Sequence, residues 1–276
     1  MKGGGAMAIA GELRSLGSTL SEELAPRRAG PVIVSGMLAE QLAKELGAGA
    51  RPGAVVVGAD QLRGGAEALV LVIAGDPSPE DDALVRQADE LEVPVVAVQL
   101  WPQADWGKTF VLTPFVVECR AGEGFPIHEI AERLAHATQD SAALAADLPT
   151  VADVARAGLV TQSVLRSAVI GLAGSRMGAS RPLLSLEQAR MVARLRRSSV
   201  EASPDGDRTG LLVGGAAALA AGFAFRGLAR NLRTLVPAPI ANTAVAAVGT
   251  WGLAKSFELV ETRLARTLKG SVRTGT

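Results

Sequence analysis

Between Pro31 and Cys119 the chain carries five short runs in which aliphatic residues follow one another with little polar interruption: PVIVS (31–35), AVVVG (54–58), ALVLVIAG (68–75), VPVVAVQL (93–100) and TPFVVEC (113–119). A strand with one face in water alternates apolar and polar residues, whereas a strand apolar at every position is buried on both faces. Segments of helical periodicity accompany these runs: MLAEQLAKEL (37–46), PEDDALVRQADEL (79–91) and PIHEIAERLAHAT (126–138). Parallel strands require such crossovers, which place helices over both sheet faces. The pattern predicts a three-layer α/β domain with a parallel sheet of about five strands.

After Asp140 the strand signals stop. Helical stretches are expected near 150–174 and 184–198, followed by a polar break, SSVEASPDGDRTG (198–210), and two nearly uncharged segments, Gly210–Phe225 and Thr234–Ala254. A basic amphipathic tail closes the chain. Pro237, Pro239 and Asn242 near the start of the second segment leave a continuous helix of about 15 residues. Residues 1–29, rich in Gly, Ser and Glu, read as a flexible arm with at most one short helix. The expected organisation is the arm 1–29, an α/β domain 30–140 and an Ala/Gly-rich basic helical domain 141–276, with the boundary at about 140–150.

Composition narrows the function classes. Only 3% of the 276 residues are aromatic and 31 are glycine, so packing rests on Ala, Val and Leu. The single Cys119 excludes an intramolecular disulfide framework and reads as a buried structural thiol, while His128 and His136 on one helix fall short of a metal site. Asp76, Glu80, Asp81 and Asp82 surround two prolines and read as the acidic first turn of a helix rather than a metal cluster. No metal and no cofactor are expected. The formal net charge of zero hides a division: residues 1–140 hold 11 basic and 20 acidic side chains, residues 141–276 hold 17 and 8. The basic half lacks aromatic interleaving and recognisable modules, so nucleic-acid binding is not expected. The N-terminus shows no basic stretch leading into an apolar run, which sets a cytoplasmic expectation, with peripheral or hairpin anchoring at the inner membrane face.

Two stretches carry a resemblance. GGAEALVLVIAGDPSPEDDALVRQADELEVPVVAVQL (64–100) is similar to the third-to-fifth-strand passage of an Era-like GTPase G domain, and VVECRAGEGFPIHEIAERLA (116–135) to the segment bearing its guanine loop and following helix. The resemblance covers about residues 31–138 and implies the strand order 2-1-3-4-5. It also implies a lost nucleotide site, because a G domain cradles phosphates with GxxxxGK[ST]. With Gly36 as the first motif glycine, the second falls on Gln41, the lysine on Leu42 and the Ser/Thr on Ala43. The base-reading Asn-Lys-x-Asp should follow VPVVAV, where Leu100, Trp101, Pro102 and Gln103 stand; Asp105 fits only with a two-residue shift, and Glu118 replaces the serine of the guanine loop. The switch-type Asp-x-x-Gly is at best the out-of-register Asp60 to Gly64, and one strand between 47 and 67 replaces the usual hairpin. The resemblance therefore implies a pseudoGTPase. Trp101 and Trp106 flank the crevice side of the fourth strand and read first as core caps, second as a stacking surface for a ligand.

In the second half, residues 164–260 resemble the YcjF-like helical domain of unknown function that follows G domains in some bacterial GTPases, best in LRTLVPAPIANTAVAAVGTWGLAKSFELVE (232–261). Gly210, Gly214, Ala218 and Gly222 form a stripe that allows close helix approach. Arg226, Arg230 and Arg233, at helical spacing, are candidate contacts to lipid phosphates or a partner. The expected function is a non-catalytic scaffold or regulatory protein with a protein partner, an anionic membrane surface or a second copy of itself. The alternatives are a small-ligand module or enzyme in a crevice formed by Ser35, Gly36, Gly75, Asp76, Gln99, Trp101, Arg120 and Gly122, and a membrane- or shell-associated structural protein dominated by the helical half.

Overall fold

A computed structural model of the chain describes residues 27–75, 77–101, 113–177, 180–198 and 237–272. The elements run β1 (Val32–Gly36), α1 (Ala39–Leu46), β2 (Val55–Val57), a 3-10 turn (Ala59–Gln61), β3 (Ala68–Ala74), α2 (Pro79–Glu90), β4 (Val95–Leu100), β5 (Phe115–Cys119), α3 (Ile127–Ala137), α4 (Ser141–Asp147), α5 (Pro149–Met177), α6 (Ser180–Arg197) and α7 (Ala238–Val272). The five strands form one sheet in the order β2-β1-β3-β4-β5, every pairing parallel. Val32 lies opposite both Val55 and Ala68, Leu69 opposite Val95, and Val96 opposite Phe115.

The uninterrupted aliphatic runs divide by parity between two cores. Val32, Val34, Val70, Val72, Val96, Val98 and Val117 face one layer with Leu42 and Leu46 of α1 and Ile130 and Leu134 of α3. Ile33, Leu69, Leu71, Ile73 and Val95 face the other, with Val85 and Ala88 of α2. Each fully buried Val, Leu or Ile contributes roughly 1.5–3 kcal/mol through removal from water.

The first core is completed from beyond Asp140. Ala143, Leu144, Ala145, Leu148, Val151 and Ala155 join it, so α4 and the first turns of α5 pack on the sheet's own layer. Arg51 holds this segment with a bidentate pair to Asp147, Nε to Oδ1 at 2.8 Å and Nη2 to Oδ2 at 3.1 Å. Thr150 Oγ1 donates to the Leu46 carbonyl at 2.6 Å, and Arg197 Nη2 pairs with Asp140 at 2.9 Å. The described chain divides into a compact α/β unit, residues 27–158 with 197–198, and a helical unit, residues 159–196 and 237–272. The division falls at Leu159, inside α5, later than the sequence pattern suggests, because the Ala-rich stretch of α4 looks like linker yet buries Leu144 and Leu148 one turn apart.

Beyond Cys119 every described element is a helix. α7 is one helix of 35 residues, not one of about 15 followed by a separate tail. Pro239 stands in its first turn, where a backbone N–H has no helical partner to lose; the Ala241 amide donates to the Pro237 carbonyl at 3.1 Å and Thr243 Oγ1 to the Pro239 carbonyl at 2.9 Å. Among the described residues no helix is long and apolar enough to cross a membrane. The Gly210–Phe225 stripe, Arg226, Arg230, Arg233 and the arm before Arg27 lie outside the described residues.

Glu67, at the foot of β3, accepts from the Gly30 amide at 3.2 Å. Burial pushes its carboxyl up from the ordinary range, with Asp140's charge adding and the Gly30 bond opposing. A carboxyl raised in the folded state keeps its proton longer than the unfolded chain does, so it costs stability as pH rises through and above the normal carboxylate range. Glu67→Gln is therefore expected to be more stable than wild type at pH 7 in urea denaturation. The difference should vanish below about pH 4, where both states are protonated.

Candidate functional site

In an open α/β sheet the carboxyl ends of the strands meet the solvent where the strand order reverses. Here the reversal lies between β1, whose crossover leads to β2, and its neighbour β3, which leads to β4 on the other side. Only Met37 and Leu38 separate β1 from α1. Gly36 takes φ +98, and a Cβ there would lie 2.0 Å from the Val72 carbonyl oxygen, far inside van der Waals contact. The Met37 amide donates to that same oxygen at 3.0 Å. Leu38 caps α1 in the left-handed region, φ 56 and ψ 22, without a side-chain hydrogen bond. Side chains other than Gly, Asn and Asp rarely hold such a conformation.

The positions that a phosphate loop would use lie in the body of α1. Gln41 is exposed and its Nε2 donates to Glu45 Oε1 at 3.0 Å. Leu42 is fully buried, and Ala43 packs against the same core. A lysine at position 42 would enter the core rather than reach a phosphate.

At the end of β4, Leu100 is buried, and the chain turns at Trp101 with φ 53, its amide donating to the Cys119 carbonyl at 2.9 Å. Trp101 is not a core cap: it is 51% exposed, as Met37 and Leu38 are at 50% and 48%. β1 and β4 flank β3, so these side chains leave the sheet edge from strands about 10 Å apart. Gln103, Asp105, Trp106 and Asp76 lie outside the described residues. Glu118 is exposed on β5 opposite Gln99. Gln99 is 3% exposed and its Nε2 has no hydrogen-bond partner among the described residues. Ser35 is half-buried at the end of β1.

The remaining turns are occupied by their own structure. After Gly75, φ 81, Ser78 caps α2 with a reciprocal box: Asp81 N donates to Ser78 Oγ at 3.1 Å and Ser78 N to Asp81 Oδ2 at 2.9 Å. Glu80, Asp81 and Asp82 thus sit at the positive end of a helix, as the prolines suggested. No group of three or more His, Cys, Asp or Glu among the described residues is placed to hold a metal ion. Arg120 and Gly122 lie on an exposed turn, with the Glu123 amide donating to the Arg120 carbonyl at 3.2 Å. Cys119 is buried beneath it; burial first, then the charges of Glu123 and Glu45, push the thiol up, which keeps it protonated and a poor nucleophile. Asp60 stands in the 3-10 turn after β2, its Oδ2 accepting from Gln61 Nε2 at 2.7 Å.

Sequence reasoning passed over Met37 and Leu38 as contact residues. One signal was present: α1 begins without the Ser, Thr, Asp or Asn that normally caps a helix, so Leu38 occupies the cap position. Compared with protein-family models, curated proteins and solved structures, the chain matches none.

Gly36→Ala should lower stability by more than about 2 kcal/mol, read as a shifted urea midpoint, because both the φ and the Val72 contact oppose a Cβ. Leu38→Asn should do the reverse, raising stability by about 1 kcal/mol, since Asn tolerates the left-handed region and caps a helix.

Proposed function

We propose that this chain is a non-catalytic, pseudoGTPase-like scaffold or regulatory protein that works through protein contacts at the carboxyl edge of its sheet. The observation that carries the reading is the group Met37, Leu38 and Trp101: large, half-exposed apolar side chains at the exits of β1 and β4, two of them on backbone in the left-handed region. Strained residues persist only where the surroundings enforce them, and such positions concentrate at functional edges. Aromatic and apolar anchors of this kind dominate protein interfaces.

Kinship with G domains is supported by the strand order; the single strand β2 between 47 and 67, where a G domain has a hairpin, is a departure that fits loss of the first switch. Loss of nucleotide chemistry is supported by the two-residue turn after β1 and by the burial of Leu42. The YcjF-like reading of the helical half rests on its sequence alone. Calorimetry with GTP and magnesium is expected to show no affinity in the low micromolar range. Crosslinking in native cells followed by mass spectrometry should recover a protein partner with wild type, and Met37→Ser with Trp101→Ser should reduce that capture at least tenfold while leaving the urea midpoint unchanged. Equal capture by both proteins would overturn the reading.

A second reading, a small-ligand site in the same crevice, is favoured by the unpartnered Gln99 amide. A buried donor left unpaired costs roughly 1–3 kcal/mol, and a ligand acceptor would remove that penalty. A small molecule that raises the melting temperature of wild type and not of Gln99→Leu would decide for it.

A further inference from the structure

The carboxyl edge of the sheet carries a charge imbalance as well as apolar side chains. Five exposed carboxylates stand in or beside the turns that follow the strands. Glu40 is in the first turn of α1, Asp60 in the 3-10 turn after β2 and Glu80 in the first turn of α2, with Glu118 near the end of β5 and Glu123 just beyond it. Arg120 is the one Lys or Arg among the described residues of these turns. Three helices, α1, α2 and α3, also begin at this edge, and each helix start contributes about half a positive charge. Together with Arg120 they offset about half of the negative charge, so the edge stays negative by about two and a half charges. Basic side chains toward the amino ends of the strands are too far along to neutralise it: Lys44 is in the last turn of α1, Arg51 is paired with Asp147, and Arg63 lies in the connection into β3.

The carboxylates share their place with the exposed apolar group. Glu40 follows Leu38 by two residues. The Trp101 amide donates to the Cys119 carbonyl at 2.9 Å. The thiol of that cysteine is pushed up by burial first and then by the charges of Glu123 and Glu45, so Glu123 acts on the strand end from which Trp101 departs. A surface lined by one sign of charge attracts the opposite sign and repels its own. Spacing adds a second requirement. The exits of β1 and β4 are about 10 Å apart, with β3 between them. A helix rises 1.5 Å per residue, so side chains seven residues apart on one face are separated by about 10.5 Å. A helix laid across these strand ends sets one apolar residue against Met37 and Leu38 and another against Trp101, the anchor spacing by which amphipathic helices are recognised.

We propose that the carboxyl edge receives a basic amphipathic helix of a partner protein, with apolar residues at i, i+4 and i+7 against Met37, Leu38 and Trp101 and lysines or arginines against the surrounding carboxylates. The proposal rests on the contact edge argued above and names the chemistry of what binds there. The two sets of side chains divide the work. Apolar anchors in the centre hold the complex, while the charged rim speeds encounter and turns away acidic partners. The rim carboxylates are exposed and pair with no cation among the described residues, so a basic partner finds them available.

The test presents the full chain to three displayed libraries of helical peptides of about 15 residues, all with leucine at i, i+4 and i+7. Their other positions are rich in lysine and arginine, in aspartate and glutamate, or in glutamine and serine. Enrichment from the basic library alone is expected. By fluorescence anisotropy the enriched peptide should bind roughly tenfold more weakly to Glu40→Gln with Glu123→Gln, and more weakly by roughly the same factor or more to Met37→Ser with Trp101→Ser. Both proteins should keep the wild-type urea midpoint, and a scrambled peptide of the same composition should not bind. Acidic or neutral peptides that depend on Met37 and Trp101 overturn the basic class and leave the contact edge standing. Basic peptides that bind Met37→Ser with Trp101→Ser as well as wild type, or whose scrambled forms bind equally, show general attraction to an acidic protein and overturn the proposal. An affinity unchanged in Glu40→Gln with Glu123→Gln overturns it too, as does the absence of enrichment from any library. A wild-type dimer in sedimentation equilibrium that Met37→Ser with Trp101→Ser dissociates also overturns it, placing a second copy on the edge.

Discussion

The α/β unit depends on one requirement, the burial of β3 from both sides. From Ala68 to Ile73 no residue of this strand is more than 3% exposed. It is paired through its backbone to β1 and β4 and has no polar side chain with which to face water, so it exists only between two helical layers. The layers are unequal. One face is closed mainly by α2, with Val85 and Ala88 and the flanking Leu62 and Val93. The other needs α1, α3, α4 and the start of α5, which is why the compact unit continues past the last strand-like sequence and why Arg51 and Thr150 tie the added segment to the loop after α1 and to its last turn.

The tight exit of β1 follows from the same packing. Leu42 and Leu46 reach the core only if α1 starts almost at the end of the strand, and Ala39 is already buried. The chain therefore turns within two residues, with Gly36 against the Val72 carbonyl and Leu38 forced to positive φ. A loop able to wrap a phosphate needs more chain and several amides turned outward; here one of the two available amides is bound to β3. Packing and nucleotide binding compete for the same few residues, and packing has them.

The five strands, their parallel pairing and the start of α2 were legible because each has a local cause: strands apolar at every position, crossovers of helical period, and a Ser-Pro followed by three acids. The boundary at Leu159 was not, since Leu144 and Leu148 are ordinary residues in an Ala-rich stretch and only the sheet's open face makes them core. The length of α7 was misjudged because proline was weighed as a breaker without regard to its place in the first turn. At the site, the burial of Leu42 and Cys119 could be read from their position in apolar series. The exposure of Trp101 could not, because an aromatic residue at a strand end is drawn equally well by a core or by solvent, and its backbone conformation has no signature in a tryptophan. Gln99 was identified as a crevice residue, but its unpaired amide depends on neighbours that pattern alone does not supply.

The distribution of exposed apolar side chains separates the two units in kind. In the α/β unit the large ones are Met37, Leu38, Val57 and Trp101; Val57 belongs to an edge strand, and the other three gather at strand exits on one edge. Apolar surface concentrated at one place amid a polar remainder is what a discrete partner covers. In the helical unit, by contrast, they recur along α5, α6 and α7, while Val160, Met191, Leu195 and Leu253 are buried together with Ser163, Ser167 and Thr250. One sequence thus contains a sheet core that keeps nearly all its large apolar residues from water and a set of helices that buries some of them, Val160, Met191, Leu195 and Leu253, and exposes others, Leu165, Val169 and Trp251. The change from one to the other occurs within the single helix α5, whose first turns are fixed by Val151 and Ala155 in the sheet's core and whose later turns carry Leu165, Val169 and Leu172 outward.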